Sequence, residues 1–134
     1  MDIFSKIKNL NFNVGDYIII GGAALAGRGI KETKDIDIFV SRDLLVALGS
    51  NSDWRHHPRI VQGEEAGLVN VDGTVELYPT MGGITFDELK MKQEMINGIP
   101  FANLHDIVKI KETYNREKDH KDIALIEEYL KLNP

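Results

Sequence analysis

A chain of 134 residues with 43% hydrophobic and 28% charged residues has the size and make-up of one globular domain (residues 1–134) that builds a single core without staples. It holds no cysteine, which excludes disulfides and thiolate metal sites, and its formal net charge of -5 argues against binding nucleic acid by bulk electrostatics. The opening MDIFSKIKNL lacks the apolar core of a signal peptide, and no apolar run approaches the roughly 20 residues of a membrane helix, so a cytoplasmic location is expected.

Taken in chain order, Ile3, Phe4, Ile7 and Leu10 recur at helical spacing and predict a short amphipathic helix over residues 2–10. Asn13, Gly15 and Asp16 make a turn into Tyr17-Ile-Ile-Ile20, a short strand of β-branched residues. Gly21-Gly22 breaks that strand, and residues 23–28 form a short helix closed by Gly29. Residues 35–40 read as a second strand, and Ser41 caps a helix over 43–48. The stretch 49–66, with Trp54, His56, His57 and Pro58, has no clear period and is either a lid or a docking surface. Two strands, 68–71 and 74–78, flank the hairpin signal Asp72-Gly73. Thr85-Phe-Asp-Glu88 is a capping box for a helix through about Gln93, and Asn97-Gly98 turns a smaller hairpin. Asn103 caps a helix to about Glu117, and Asp119 starts a last helix to about Lys131. The alternation predicts an α/β or α+β fold, a mixed sheet of about five strands flanked by helices, with helices at the C-terminus.

Asp35 and Asp37 stand out within this order. On a strand, positions i and i+2 share a face, so both carboxylates project together from an otherwise apolar run. Two convergent carboxylates repel each other unless a cation lies between them, and a hard oxygen pair of this kind suits magnesium. Upstream, Gly21-Gly22 opens a helix after a strand, where backbone N–H groups can approach an anion. A phosphate cradle beside a metal-binding carboxylate pair points to phosphoryl or nucleotidyl transfer.

Ile20-Gly21-Gly22, a spacer over residues 23–34, then Asp35-Ile36-Asp37-Ile38 resembles the signature of the polymerase-β-like nucleotidyltransferase superfamily. The approach through Thr33 to Asp35 is similar to that of the minimal nucleotidyltransferases, including those of toxin–antitoxin systems. The C-terminal LHDIVKIKETYNREKDHKDI resembles that group's ending, with Lys111, Arg116, Lys118 and Asp119 in the matching places. The resemblance implies a third carboxylate on a neighbouring strand. Glu76, mid-strand between apolar neighbours, is preferred over Asp72, which suits the first position of the Asp-Gly turn. Many family members carry serine where this chain has Gly22, and often aspartate at the third carboxylate.

The resemblance implies that Asp35, Asp37 and Glu76 hold two magnesium ions and that an acceptor hydroxyl attacks the α-phosphate of ATP or another nucleoside triphosphate. Gly21, Gly22 and the Ala23 N–H would hold the triphosphate, and Arg28, Lys34, Lys111 and Arg116 are candidates to contact phosphates or base. The group transferred is expected to be AMP, and the acceptor a protein hydroxyl, a tRNA 3′ end or a small molecule. A small helical protein partner or a homo-oligomer would complete so short a chain. The alternative is a catalytically weak or inactive module of the same fold that acts through its protein partner.

Blander readings compete at each position. The aspartate pair could be strand-edge charges and Gly21-Gly22 a tight turn; Glu76 could lie on an exposed strand face. Lys111 and Arg116 could be a solvated helix face. Asp119 and Asp122 read as capping residues, Trp54 as core or interface, and the four histidines show no ligand spacing.

Overall fold

A computed structural model describes residues 2–56 and 67–134. His57, Pro58 and the remainder of the proposed lid or docking segment up to residue 66 lie outside the described residues. The run Tyr17–Ile20 forms β1 and is buried at every position, as an apolar strand covered on both faces must be. It pairs antiparallel with β2 (Ile36–Val40) and parallel with β7 (Ile99–Phe101). On the far side of β2 lies β5 (Val75–Tyr78), parallel to it. Beyond that come β4 (Leu68–Asn70) and β3 (Trp54–His56), both antiparallel, and the opposite edge is β6 (Glu94–Ile96). Among the described residues the order is β3-β4-β5-β2-β1-β7-β6, a mixed sheet of seven strands where about five were expected. The strand that pattern reading missed is β3: two of its three residues are exposed, so no alternation marks it. Trp54 anchors it instead, its ring centroid 6.0 Å from that of Phe12.

Among the described residues six helices flank the sheet. Asp2 caps α1 (Ile3–Lys8), accepting a hydrogen bond from the Ser5 N–H, and α2 (Gly21–Ala26) follows β1 directly. Ser41 caps α3 (Arg42–Leu48) through the Leu44 N–H, and Thr85 caps α4 (Phe86–Met91) through that of Glu88. Asn103 accepts from the Asp106 N–H to open α5 (Leu104–Tyr114), and α6 (Glu117–Leu132) closes the fold. Three caps were legible because a short oxygen-bearing side chain satisfies an otherwise unpaired first-turn N–H. Among the described residues no helix is long and apolar enough to cross a membrane.

Several boundaries differ from the sequence expectation, among them α2, which takes in Gly21 and Gly22 and ends at Ala26 rather than spanning 23–28. Asn115 adopts the left-handed conformation (φ 54°, ψ 39°), so α5 ends at Tyr114 and the chain reverses into α6 at Glu117, not Asp119. The Asp72-Gly73 hairpin is wider than two residues. The Asn70 side chain accepts the Val75 N–H (3.0 Å) in place of a ladder bond, while Asp72 accepts from the Thr74 N–H (3.0 Å). The smaller hairpin is the expected one, with Asn97 (φ 52°) and Gly98 (φ 77°) both left-handed as a type I′ turn requires.

The core runs from Ile7 to Ile126 as one cluster centred on β1, β2 and β5. Arg28 ties its periphery together. The guanidinium donates to the carbonyls of Ala24 (2.7 Å) and Ala102 (2.8 Å), pairs with Glu94 (3.1 Å) and lies over the Phe101 ring. With its side chain 5% exposed, it is a structural clamp between α2 and the β6–β7 hairpin. Arg28→Ala leaves two carbonyls unpaired and removes packing from Phe101. It should destabilise the fold by about 1–3 kcal/mol, read as a lower midpoint in urea unfolding at unchanged m-value.

Candidate active site

The register of three central strands builds the site. In β2, Asp37 lies opposite Ile20 of β1 and beside Glu76 of β5, so a carboxylate on each of two neighbouring strands projects from the same face. Asp35 precedes the strand by one residue and is exposed. Its backbone is pinned on both sides: the Thr33 hydroxyl donates to the Asp35 carbonyl (3.1 Å), and the Ile36 N–H to that of Thr74 (2.8 Å). Asp35, Asp37 and Glu76 line one cavity of about 280 Å³.

Gly21 forms the rim beside them. Its φ is +62°, and a side chain there would bring a Cβ within 2.9 Å of Asp37 Oδ2. Glycine is required on both counts, by the left-handed backbone and by the close approach. The facing wall comes from the other end of the sequence. Ile107, Ile110 and Lys111 project from α5, Tyr114 and Arg116 flank the α5–α6 turn, and Lys118 and Asp119 stand on the first turn of α6. Tyr78 and Met81 fill the corner by β5; the Tyr78 hydroxyl donates to Glu76, and that of Tyr114 to Met81 Sδ (2.8 Å).

Sequence-predicted residues therefore divide in two. Gly21, Asp35, Asp37, Glu76, Lys111 and Arg116 meet at the cavity. Gly22, Ala23, Arg28, Lys34 and Asp72 do not line it. Ala23 is fully buried, Arg28 is held at the β6–β7 hairpin, Lys34 is exposed beside α1, and Asp72 stays in its turn. Gly22 faces Thr33, whose Oγ1 would lie 3.2 Å from a Cβ at that position. A side chain at position 22 would crowd the Thr33 side chain.

Behind the facing wall runs a chain of buried ion pairs that pattern reading misassigned. Asp122 is no cap: its carboxylate accepts from Lys31 (2.9 and 3.1 Å) and from Lys111 (2.9 Å). Lys111, 7% exposed, is no solvated helix face, and it also approaches Asp119 at 3.7 Å. Asp119 does serve the α6 N-terminus, accepting the Arg116 N–H (3.1 Å), but it also takes a two-point contact from Arg116 Nε (2.7 Å) and Nη2 (3.1 Å). The signal for this network was present in the sequence. Asp119, Asp122 and Ile126 form the buried stripe of α6, so two carboxylates stand where helical spacing calls for apolar residues. Tyr78 was likewise readable, two residues from Glu76 on the same face.

Electrostatics differ sharply between the two walls. Burial, reinforced by Glu76 and Asp35, pushes the Asp37 carboxyl up to about 6, with Lys118 and Lys111 opposing. Burial also raises the Tyr78 phenol, aided by Asp37 and Glu76. Burial works against Asp119 and Asp122 as well, yet hydrogen bonds from Arg116 and from Lys111 and Lys31 hold both below the usual carboxylate range. The strand side thus gathers carboxylates around a raised Asp37, whereas cations hold the carboxylates of the helix side.

All three strand-side groups are hard oxygen donors, the chemistry magnesium takes. Among the described residues no three such side chains are drawn into a finished cation cage.

No protein-family model matches the sequence, and a search of curated proteins finds no match. The structure is similar to a crystal structure from Thermotoga maritima, that of a candidate nucleotidyltransferase, with a TM-score of 0.54. The two chains are 14% identical, over 99% of this chain and 97% of the other. The fold is a nucleotidyltransferase fold. At that identity the likeness speaks for the nucleotidyltransferase architecture, and the chemistry has to be argued from the cavity itself.

Two outcomes follow from the charges. The Asp37 carboxyl binds its proton more tightly folded (about 6) than unfolded (3.8), so ionising it costs stability above pH 6 and that cost fades as pH falls from 6 toward 4. In chelator, Asp37→Asn should therefore be more stable than wild type at pH 8, on the order of 1–2 kcal/mol after allowing for partial exposure, with the gap closing near pH 4. Thermal melts across that range test it. Lys111→Met leaves Asp119 and Asp122 with only Arg116 and Lys31. It should lose about 2–3 kcal/mol, somewhat less than the usual cost of breaking a buried pair, measured by urea unfolding at pH 7.

Proposed function

We propose that this chain is a nucleotidyltransferase that moves a nucleoside monophosphate, AMP in the first instance, from a nucleoside triphosphate to an acceptor hydroxyl. The observation that carries the reading is the meeting of Asp35, Asp37 and Glu76 on one cavity wall, with the Gly21 backbone at the rim and cationic side chains opposite. Carboxylates gathered on neighbouring strands raise the proton affinity of Asp37, and a cation-bearing substrate would relieve that cost.

Asp35, Asp37 and Glu76 would hold magnesium, which when bound supplies Lewis-acid stabilisation of the charge developing on phosphoryl oxygens. The Gly21 N–H, the first of α2 and at the cavity rim, would receive a phosphate oxygen. Met81, Ile107, Ile110 and Tyr114 offer an apolar surface for base and sugar. In the transfer, the acceptor oxygen forms a bond to the α-phosphorus as the bond to the pyrophosphate oxygen breaks. The enclosing wall of α5 and α6 restricts water, favouring the intended hydroxyl over hydrolysis. A protein hydroxyl, a tRNA 3′ end and a small-molecule hydroxyl are each compatible with this step.

Purified protein incubated with α-labelled triphosphates and magnesium, alone and with cell lysate, tests the proposal and exposes the acceptor. Label should appear on a protein, RNA or small-molecule fraction with wild type and fall at least a hundredfold with Asp35→Ala/Asp37→Ala. Equal transfer by the double variant would remove the reading.

A further inference from the structure

The cavity wall facing the carboxylates presents three cations, and two of them are already engaged. Lys111 is pinned between Asp122 (2.9 Å) and Asp119 (3.7 Å) and is almost wholly buried. Arg116 gives Nε and Nη2 to Asp119. Lys118 is exposed, lines the same cavity and forms no ion pair among the described residues. We propose that Lys118 is the residue that contacts the phosphate chain of the substrate, while Lys111 is a positioning residue that ties α5 to α6 behind the cavity wall. This inference rests on the nucleotidyltransferase reading and deepens it.

Two features support the assignment. Lys118 occupies the first turn of α6, where the helix dipole disfavours a cation. A lysine there gains nothing from its own helix, but adds its charge to the positive end of that helix at the mouth of the cavity. Second, Lys111 is poorly suited to the task. Swinging its ammonium toward a phosphate would strip a partner from two buried carboxylates, whereas Lys118 moves at no such cost. A flexible stem with a compact ammonium suits a phosphate whose exact position varies along the reaction.

The division of labour also explains Lys31. Its ammonium joins Asp122 from the loop that leads to Asp35, so the chain Lys31, Asp122, Lys111, Asp119, Arg116 links that loop to the α5–α6 turn. Lys118 is displayed from the end of this braced frame.

The test is titration calorimetry with inorganic triphosphate and with ATP, both in magnesium, on the full chain. Wild type should bind both, Lys118→Gln should bind each about tenfold or more weakly, and Lys118→Arg should stay within about threefold of wild type. Adenosine affinity and the thermal midpoint of Lys118→Gln should be unchanged, because neither phosphate contact nor the buried network is involved in them. Triphosphate binding by Lys118→Gln equal to that of wild type would overturn the assignment alone. A wild type that binds neither triphosphate would overturn the nucleotidyltransferase reading and this inference with it.

Discussion

The pairing of β2 with β1 on one side and β5 on the other is the constraint on which the site depends. Because β2 runs parallel to β5 with Asp37 beside Glu76, the two carboxylates share a face without any help from side-chain packing. A shift of one residue in either strand would turn one of them to the opposite face and bring an isoleucine, valine or leucine into the cavity. The register is held by what lies on the other face. Ile19, Ile38 and Leu77 pair across the three strands and are all fully or almost fully buried, so a slip would expose core. The hydrophobic core thus enforces an arrangement of charges that electrostatics alone would disperse.

The helix side solves the converse problem. Buried charges there are paired in sequence from Lys31 to Arg116, and each carboxylate of the chain accepts more than one hydrogen bond or ion contact. Such a network is strongly directional, because a partner lost at one point leaves a buried charge uncompensated at the next. It brings residues 31, 111, 116, 119 and 122, from opposite ends of the chain, into one rigid contact. The sheet and the helical hairpin are thereby joined across the cavity by polar contacts as well as by Ile107, Ile110 and Met81.

The two walls also differ in how they treat stability. The helix side is satisfied as it stands, whereas the strand side holds a carboxyl whose proton affinity is raised by burial and by two neighbouring carboxylates. Local conflict of this kind is expected where a protein keeps a group for binding rather than for folding. Arg28, by contrast, was a plausible phosphate contact by its proximity in sequence to the aspartates, yet it belongs to the satisfied class.

Local signals in the sequence determined much of the architecture and half of the site. Capping residues at Ser41, Thr85 and Asn103, the Asn-Gly turn and the β-branched run at 17–20 act through neighbours a few positions away, so they could be read directly. Asp35 and Asp37 were legible as a pair because strand periodicity alone puts them on one face, and Glu76 was preferred over Asp72 because turn chemistry accounted for the latter. Tertiary structure decided the rest. Whether Lys111 faces solvent or is buried, whether Asp122 caps or pairs, and which cation remains open to the cavity depend on contacts between elements, 11 residues apart for Lys111 and Asp122 and 91 for Lys31 and Asp122. Residue type and spacing specify what a side chain can do, but a charge acquires its partner only when the chain closes around it.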